Sequence, residues 1–142
     1  MKPLAQKAVT IRGERWVIRV LSEDHFAEAH GDCAAITLIP FKTIEIPKDQ
    51  LTFVTVLHEV FHAYSSYLHL DSAQEIVPYQ VEEIMAELFS NYGVQMIKLA
   101  TDVIFALGKR LRVERTVLMT GLSEDQQAAL APKPRSRRNR KT

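Results

Sequence analysis

The feature that most constrains this chain is the segment His58-Glu59-Val60-Phe61-His62, an H-E-x-x-H pattern within an apolar stretch. Apolar residues recur there at intervals of three and four: Phe53, Val54, Leu57, Phe61, Tyr64 and Leu68. This period predicts an amphipathic helix, with Asp49 as its N-cap and its end near residues 69–71. On such a helix His58 and His62 share one face, so both imidazoles can reach a single metal ion.

Two histidines do not complete a zinc site, which normally has three protein ligands and a water. Glu82, Glu83 and His69 are candidates for the third position. Glu83 is preferred because Glu87 lies four residues further along the same helix face. A carboxylate at that place can accept the second N–H of a zinc-bound histidine. Glu82 has an alanine at the corresponding position, and His69 does not fit the longer H-E-x-x-H-x-x-G-x-x-H pattern.

These residues carry a resemblance. His58-Glu59-x-x-His62 followed by Glu83-x-x-x-Glu87 resembles the gluzincin pattern, in which a downstream helix supplies a glutamate ligand. The size of the chain and the order of its segments are similar to the compact ImmA/IrrE-type metallopeptidases, including the small versions common in phage genomes. The similarity covers about residues 16–97. One departure is that this family often reads E-x-x-A-N-x-F-A, and Glu87 occupies the asparagine position here.

The resemblance implies a hydrolase that cleaves peptide bonds with zinc-activated water. His58, His62 and Glu83 would hold Zn²⁺, and the Glu87 carboxylate would accept a hydrogen bond from the second N–H of a ligand histidine. Glu59 would act as general base and later as proton donor. A peptide or protein would be the substrate.

A further donor is expected to stabilise the oxyanion of the tetrahedral intermediate. Tyr79, Tyr92 and His30 are conceivable donors, and the sequence does not choose among them.

The remaining segments predict a single α+β domain over residues 1–130, in which a small N-terminal sheet packs on the H-E-x-x-H helix and a following long helix. Strands are expected at residues 8–11, 16–21, 35–39 and 43–46, the first two as a hairpin around Gly13, with a short helix within 22–30. Pro78 opens the long helix, which is expected to bend at Gly93 and to close at Gly108. Residues 111–119 alternate like an edge strand, although a helix is not excluded. Ser123 and Gln126 form a candidate capping box.

The charge of the chain is unevenly distributed. Residues 131–142 hold six of the 18 basic residues and none of the 17 acidic ones, so the rest of the chain carries a net charge of −5. This segment is expected to be a disordered basic tail. It suggests an alternative function: a non-catalytic regulatory or nucleic-acid-binding protein that contacts nucleic acid through residues 133–141. A lone cysteine and the lack of a long apolar run favour a cytoplasmic protein without a membrane partner.

Overall fold

The computed structural model describes residues 2–68 and 78–130, which form a mixed four-stranded sheet covered by α-helices. The strands are β1 (Ala5–Ile11), β2 (Glu14–Leu21), β3 (Ile36–Leu38) and β4 (Thr43–Pro47). Their order in the sheet is β1-β2-β4-β3; β2 and β4 run parallel, and the other two pairs are antiparallel. The predicted α+β class is therefore confirmed.

The predicted hairpin is formed by β1 and β2 around a two-residue turn. Arg12 and Gly13 both have positive φ angles, 50° and 78°, as the type I′ turn requires. The turn also contacts the helical layer, because the Arg12 guanidinium lies 3.6 Å from the centre of the Tyr67 ring and donates to the Tyr92 hydroxyl at 3.4 Å. One arginine thus fastens the sheet to two helical segments.

A parallel pair needs a crossover connection, and here the segment between β2 and β4 contains helix α1 (Glu23–His30) and β3. Ser22 caps α1 by accepting a hydrogen bond from the His25 amide. At its other end, His30 Nε2 lies 2.6 Å from Glu45 Oε2, which joins the helix to β4. The third strand is shorter than predicted because Pro40 falls in a 3₁₀ turn over Ile39–Phe41.

The helix that carries the H-E-x-x-H pattern is α2 (Phe53–Ser65), followed by a 3₁₀ turn at Ser66–Leu68. The prediction that Asp49 caps it was wrong. Asp49 lies in a 3₁₀ turn over Lys48–Gln50, and Thr52 is the cap, accepting from the Thr55 amide at 3.2 Å. The predicted end near residues 69–71 was also wrong, because the α-helix ends at Ser65 and the chain continues as a 3₁₀ turn to Leu68.

The long helix is α3 (Pro78–Leu111), which begins at the predicted proline and packs against α2 and β1. It does not close at Gly108, as the sequence had suggested, but continues for three more residues. Its buried side recurs with helical spacing through Leu88, Met96, Ala100, Val103, Ile104 and Leu107. This continuous apolar stripe explains why the helix continues past Gly93 and Gly108.

The chain after α3 forms two short helices, α4 (Arg115–Leu118) and α5 (Glu124–Leu130). The edge strand predicted at residues 111–119 was wrong: helix α4 occupies part of that segment, and its Leu118 packs against Gly108 of α3. The capping box is confirmed: Ser123 Oγ accepts from the Gln126 amide, and Gln126 Oε1 accepts from the Ser123 amide.

One apolar core joins these elements, from Val9 on β1 through α2 and α3 to Met119. The predicted basic tail at residues 131–142 lies outside the described residues. Within the ranges that are described, no helix combines the length and the apolar character needed to cross a membrane.

Two glycines of α3 provide a matched test of this packing. A Cβ at Gly108 would lie 2.5 Å from Leu118 Cδ1, whereas a Cβ at Gly93 would meet Phe89 at an ordinary 3.6 Å. We expect Gly108→Ala to lower the free energy of unfolding by about 1–3 kcal/mol through overpacking. Gly93→Ala should raise it by up to about 1 kcal/mol through helix propensity. Urea unfolding measures both, and equal shifts of the same sign would contradict the packing of α4 on α3.

Candidate metal centre

The two histidines of the motif converge on the exposed side of α2. Residues 58 and 62 are one turn apart, and the buried residues Val56, Val60 and Ala63 hold the opposite side of the helix in the core. The two Nε2 atoms are 3.1 Å apart. Two zinc–nitrogen bonds at a tetrahedral angle would place the nitrogens about 3.3–3.4 Å apart. The pair therefore has the spacing of two ligands to a common ion.

The same 3.1 Å distance also suits an N–H···N hydrogen bond between the two rings. The rings meet edge to face, with centroids 4.8 Å apart. Distance alone does not distinguish these two states of the pair. The environment of Glu59, which lies between the two histidines in the motif, provides a further criterion for a metal site.

Glu59 is the one charged residue among the buried residues that the structure describes, with a relative exposure of 6%. Its Oε2 accepts a hydrogen bond from the Thr37 hydroxyl at 2.6 Å, so its carboxylate is held against β3. A buried carboxylate is costly unless it is hydrogen-bonded. Glu59 is therefore not a solvated residue of the outer helix face.

A cavity of about 300 Å³ opens beside this carboxylate. Its wall includes His58, Glu59 and two small residues from the segment before β3, Ala34 and Ala35. The imidazole and the carboxylate thus face the same space. A water or a substrate carbonyl in that space can contact both groups.

The third ligand is not settled by the described residues, which contain no cluster of three His, Cys, Asp or Glu side chains suited to a metal ion. Glu83 and Glu87 are both exposed on α3. The α3 residues that approach the histidines are Met85, Phe89 and Met96. Glu83 precedes Met85 by two residues, which places it about 160° away around the helix. The choice of Glu83 stays a prediction.

Its angular position around α3 places Glu82 closer than Glu83 to the side of the helix that faces the histidines. It precedes Met85 by three residues and Phe89 by seven, so it lies within about 60° of the first and about 20° of the second. It is also exposed, so its carboxylate is free of the core. Glu82 and Glu83 are therefore both candidates, one from the helix phase and the other from the sequence spacing.

The three conceivable oxyanion donors are located differently. His30 pairs with Glu45, which also lies 3.7 Å from Arg19. Tyr92 accepts from Arg12. The Tyr92 ring lies 5.5 Å from the ring of Tyr64. Burial raises the pKa of the Tyr64 hydroxyl above its ordinary value, and the nearby Tyr92 adds to this shift. The side chain of Tyr79 lies outside the described residues.

Sequence reasoning missed Thr37 and the apolar residues of α3 that face the histidines. Thr37 is separated from Glu59 by 22 residues, and its contact depends on how β3 packs against α2. No local motif signals such a contact.

Comparison of the chain with models of protein families, with curated proteins and with solved structures finds no match.

Metal content tests the ligand set. The protein supplied with zinc is expected to retain about one equivalent, and His58→Ala should lose it, because removing one of three ligands leaves an incomplete site. His25→Ala, at an exposed histidine of α1, is the matched control. Glu82→Ala and Glu83→Ala then identify the carboxylate: the larger loss of zinc marks the ligand. Elemental mass spectrometry measures the zinc content of every variant. Unchanged zinc content in His58→Ala would overturn the site.

Proposed function

We propose that this protein is a zinc-dependent peptidase of the minimal gluzincin type. The observation that carries the proposal is the 3.1 Å approach of His58 Nε2 to His62 Nε2 beside the buried carboxylate of Glu59. Imidazole nitrogens on one helix turn suit zinc, and an adjacent carboxylate suits proton transfer. The resemblance of the H-E-x-x-H and glutamate spacing to gluzincins supports the same function.

Each residue has a distinct role in this proposal. His58 and His62 bind the ion together with a glutamate of α3, which is Glu82 or Glu83. Bound zinc supplies a Lewis acid that lowers the pKa of a water ligand to about 7. Glu59 accepts the proton of the attacking water and later delivers it to the leaving amine.

The edge of the sheet supports a peptide substrate. Among the described strands, β3 lies at the edge beyond β4, and its middle residue Thr37 contacts Glu59. An extended peptide that pairs with an edge strand gains main-chain hydrogen bonds whatever its side chains are. A peptide paired with β3 would pass directly beside the proposed base.

Glu59→Gln tests the base. The amide keeps the size of the side chain but does not accept a proton, so hydrolysis of fluorescein-labelled casein by the zinc-loaded protein should fall at least about 100-fold. Zinc content should be unchanged, because Glu59 is not among the proposed ligands. Glu124→Gln, at an exposed glutamate of α5, is the control. A Glu59→Gln variant that cleaves casein at the parental rate would refute the proposed role.

Thr37→Val tests whether the base is oriented by its hydrogen bond. Valine has nearly the shape of threonine without the hydroxyl, and hydrogen bonds to charged groups are worth about 1.5–3 kcal/mol. We expect kcat on the best-cleaved casein peptide to fall roughly tenfold or more, with KM and zinc content unchanged. Thr37→Ser keeps the hydroxyl and should retain most of the activity. Equal losses in the valine and serine variants would mean that Thr37 acts only through packing.

A further inference from the structure

A second cavity adjoins the histidine pair, between α2 and α3. It has a volume of about 420 Å³, within the range of roughly 300–1,000 Å³ that is usual for ligand pockets. His58 and His62 form part of its wall. The rest of the wall is apolar, including Leu57, Phe61 and Met85.

The apolar side chains here are unusually accessible. Phe89 is 53% exposed and Val54 is 45% exposed, although both adjoin a cavity that other apolar residues line. The rings of Phe89 and Phe61 are 5.7 Å apart and form one aromatic surface. Accessible apolar surface of this kind marks a binding region, and the methionines beside it adapt to ligands of different shapes.

The two cavities adjoin each other at the proposed metal site. Val54 and His58 line both of them, while Glu59, Ala34 and Ala35 line only the smaller one. A peptide that crosses His58 would place one residue against the small alanines and another against Phe61 and Phe89. The continuity with the histidines therefore favours a substrate side chain as the occupant of the apolar cavity.

Charge argues against the basic tail as the occupant. Residues 131–142 carry six basic residues, whereas none of the described residues that line the apolar cavity is acidic. Burying a Lys or Arg head group without a counter-charge is unfavourable. A large apolar side chain has no such cost.

We propose that this cavity is the specificity pocket of the enzyme, and that it binds a large apolar side chain, such as that of Leu, Met or Phe, on a residue that forms the cleaved bond. The proposal rests on the proposed peptidase function. It adds the substrate class: peptides cleaved next to a large apolar residue.

Acetylated amino-acid hydroxamates provide a test without hydrolysis, because the hydroxamate binds zinc while the side chain samples the pocket. Calorimetry on the zinc-loaded protein compares the glycine, leucine and phenylalanine compounds. The leucine and phenylalanine compounds should bind about tenfold to a hundredfold more tightly than the glycine compound. Equal affinities for all three would overturn the specificity pocket while leaving the zinc site intact.

Two variants locate the side chain in the cavity. Phe89→Ala removes the exposed aromatic wall and should reduce the preference for phenylalanine over glycine at least fivefold, with the affinity for the glycine compound unchanged. Met85→Trp should fill the cavity and reduce the same preference. Val94→Ala, at a residue of α3 that is 83% exposed, is the control and should leave the preference unaltered. An unaltered preference in both Phe89→Ala and Met85→Trp would place the apolar site elsewhere.

The experiments distinguish a failure of the proposed peptidase function from a failure of the specificity pocket alone. If the protein retains no zinc and binds no hydroxamate, the peptidase function fails and the specificity pocket fails with it. If zinc is retained and casein is cleaved in a Glu59-dependent manner, the cleavage sites decide the second proposal alone. Mass spectrometry of the casein products should show large apolar residues enriched next to the cleaved bonds, and an absence of enrichment would overturn the pocket.

Discussion

The burial of one side of α2 is the constraint on which the rest of the candidate site depends. Val56, Val60 and Ala63 are at most 2% exposed, so the helix cannot rotate without withdrawing them from the core. With that side fixed, residues 58 and 62 face outward together, and residue 59 turns toward β3. A motif of five residues thereby becomes a pair of exposed imidazoles beside a buried carboxylate. Core packing sets the directions of these three residues, and the Thr37 hydroxyl then holds the Glu59 carboxylate.

Burial of the Glu59 carboxylate is energetically unfavourable, and the hydrogen bond from Thr37 reduces this penalty. A buried carboxylate loses hydration, which is unfavourable by several kcal/mol in the absence of partners. The 2.6 Å hydrogen bond from Thr37 replaces part of that hydration and fixes one oxygen. Glu59 also lines the cavity that it shares with His58.

The sequence predicted the elements with strong apolar periodicity and missed features that depend on tertiary contacts. The repeats around His58 and after Pro78 gave α2 and α3, and Gly13 indicated the hairpin. The sequence indicated Asp49 as the N-cap of α2, but Thr52 accepts the amide; both residue types can cap, so residue type alone does not locate the cap. Alternation at residues 111–119 suggested a strand, but the contact of Leu118 with Gly108 favours a helix there. The Thr37–Glu59 hydrogen bond has no local signal.

The difference between Glu82 and Glu83 as ligand candidates has the same physical origin. Spacing in a sequence fixes which residues of one helix share a face, and Glu83 with Glu87 satisfies that condition. It does not fix how that helix is rotated relative to its neighbour. The rotation of α3 follows from its own buried stripe, including Leu88 and Met96, which packs toward α2 and the sheet. Since that stripe turns Met85 and Phe89 toward the histidines, a ligand from the first turns of α3 is expected on their side of the helix. Zinc bound there would join α2 to α3 and add its binding free energy to the stability of the folded chain.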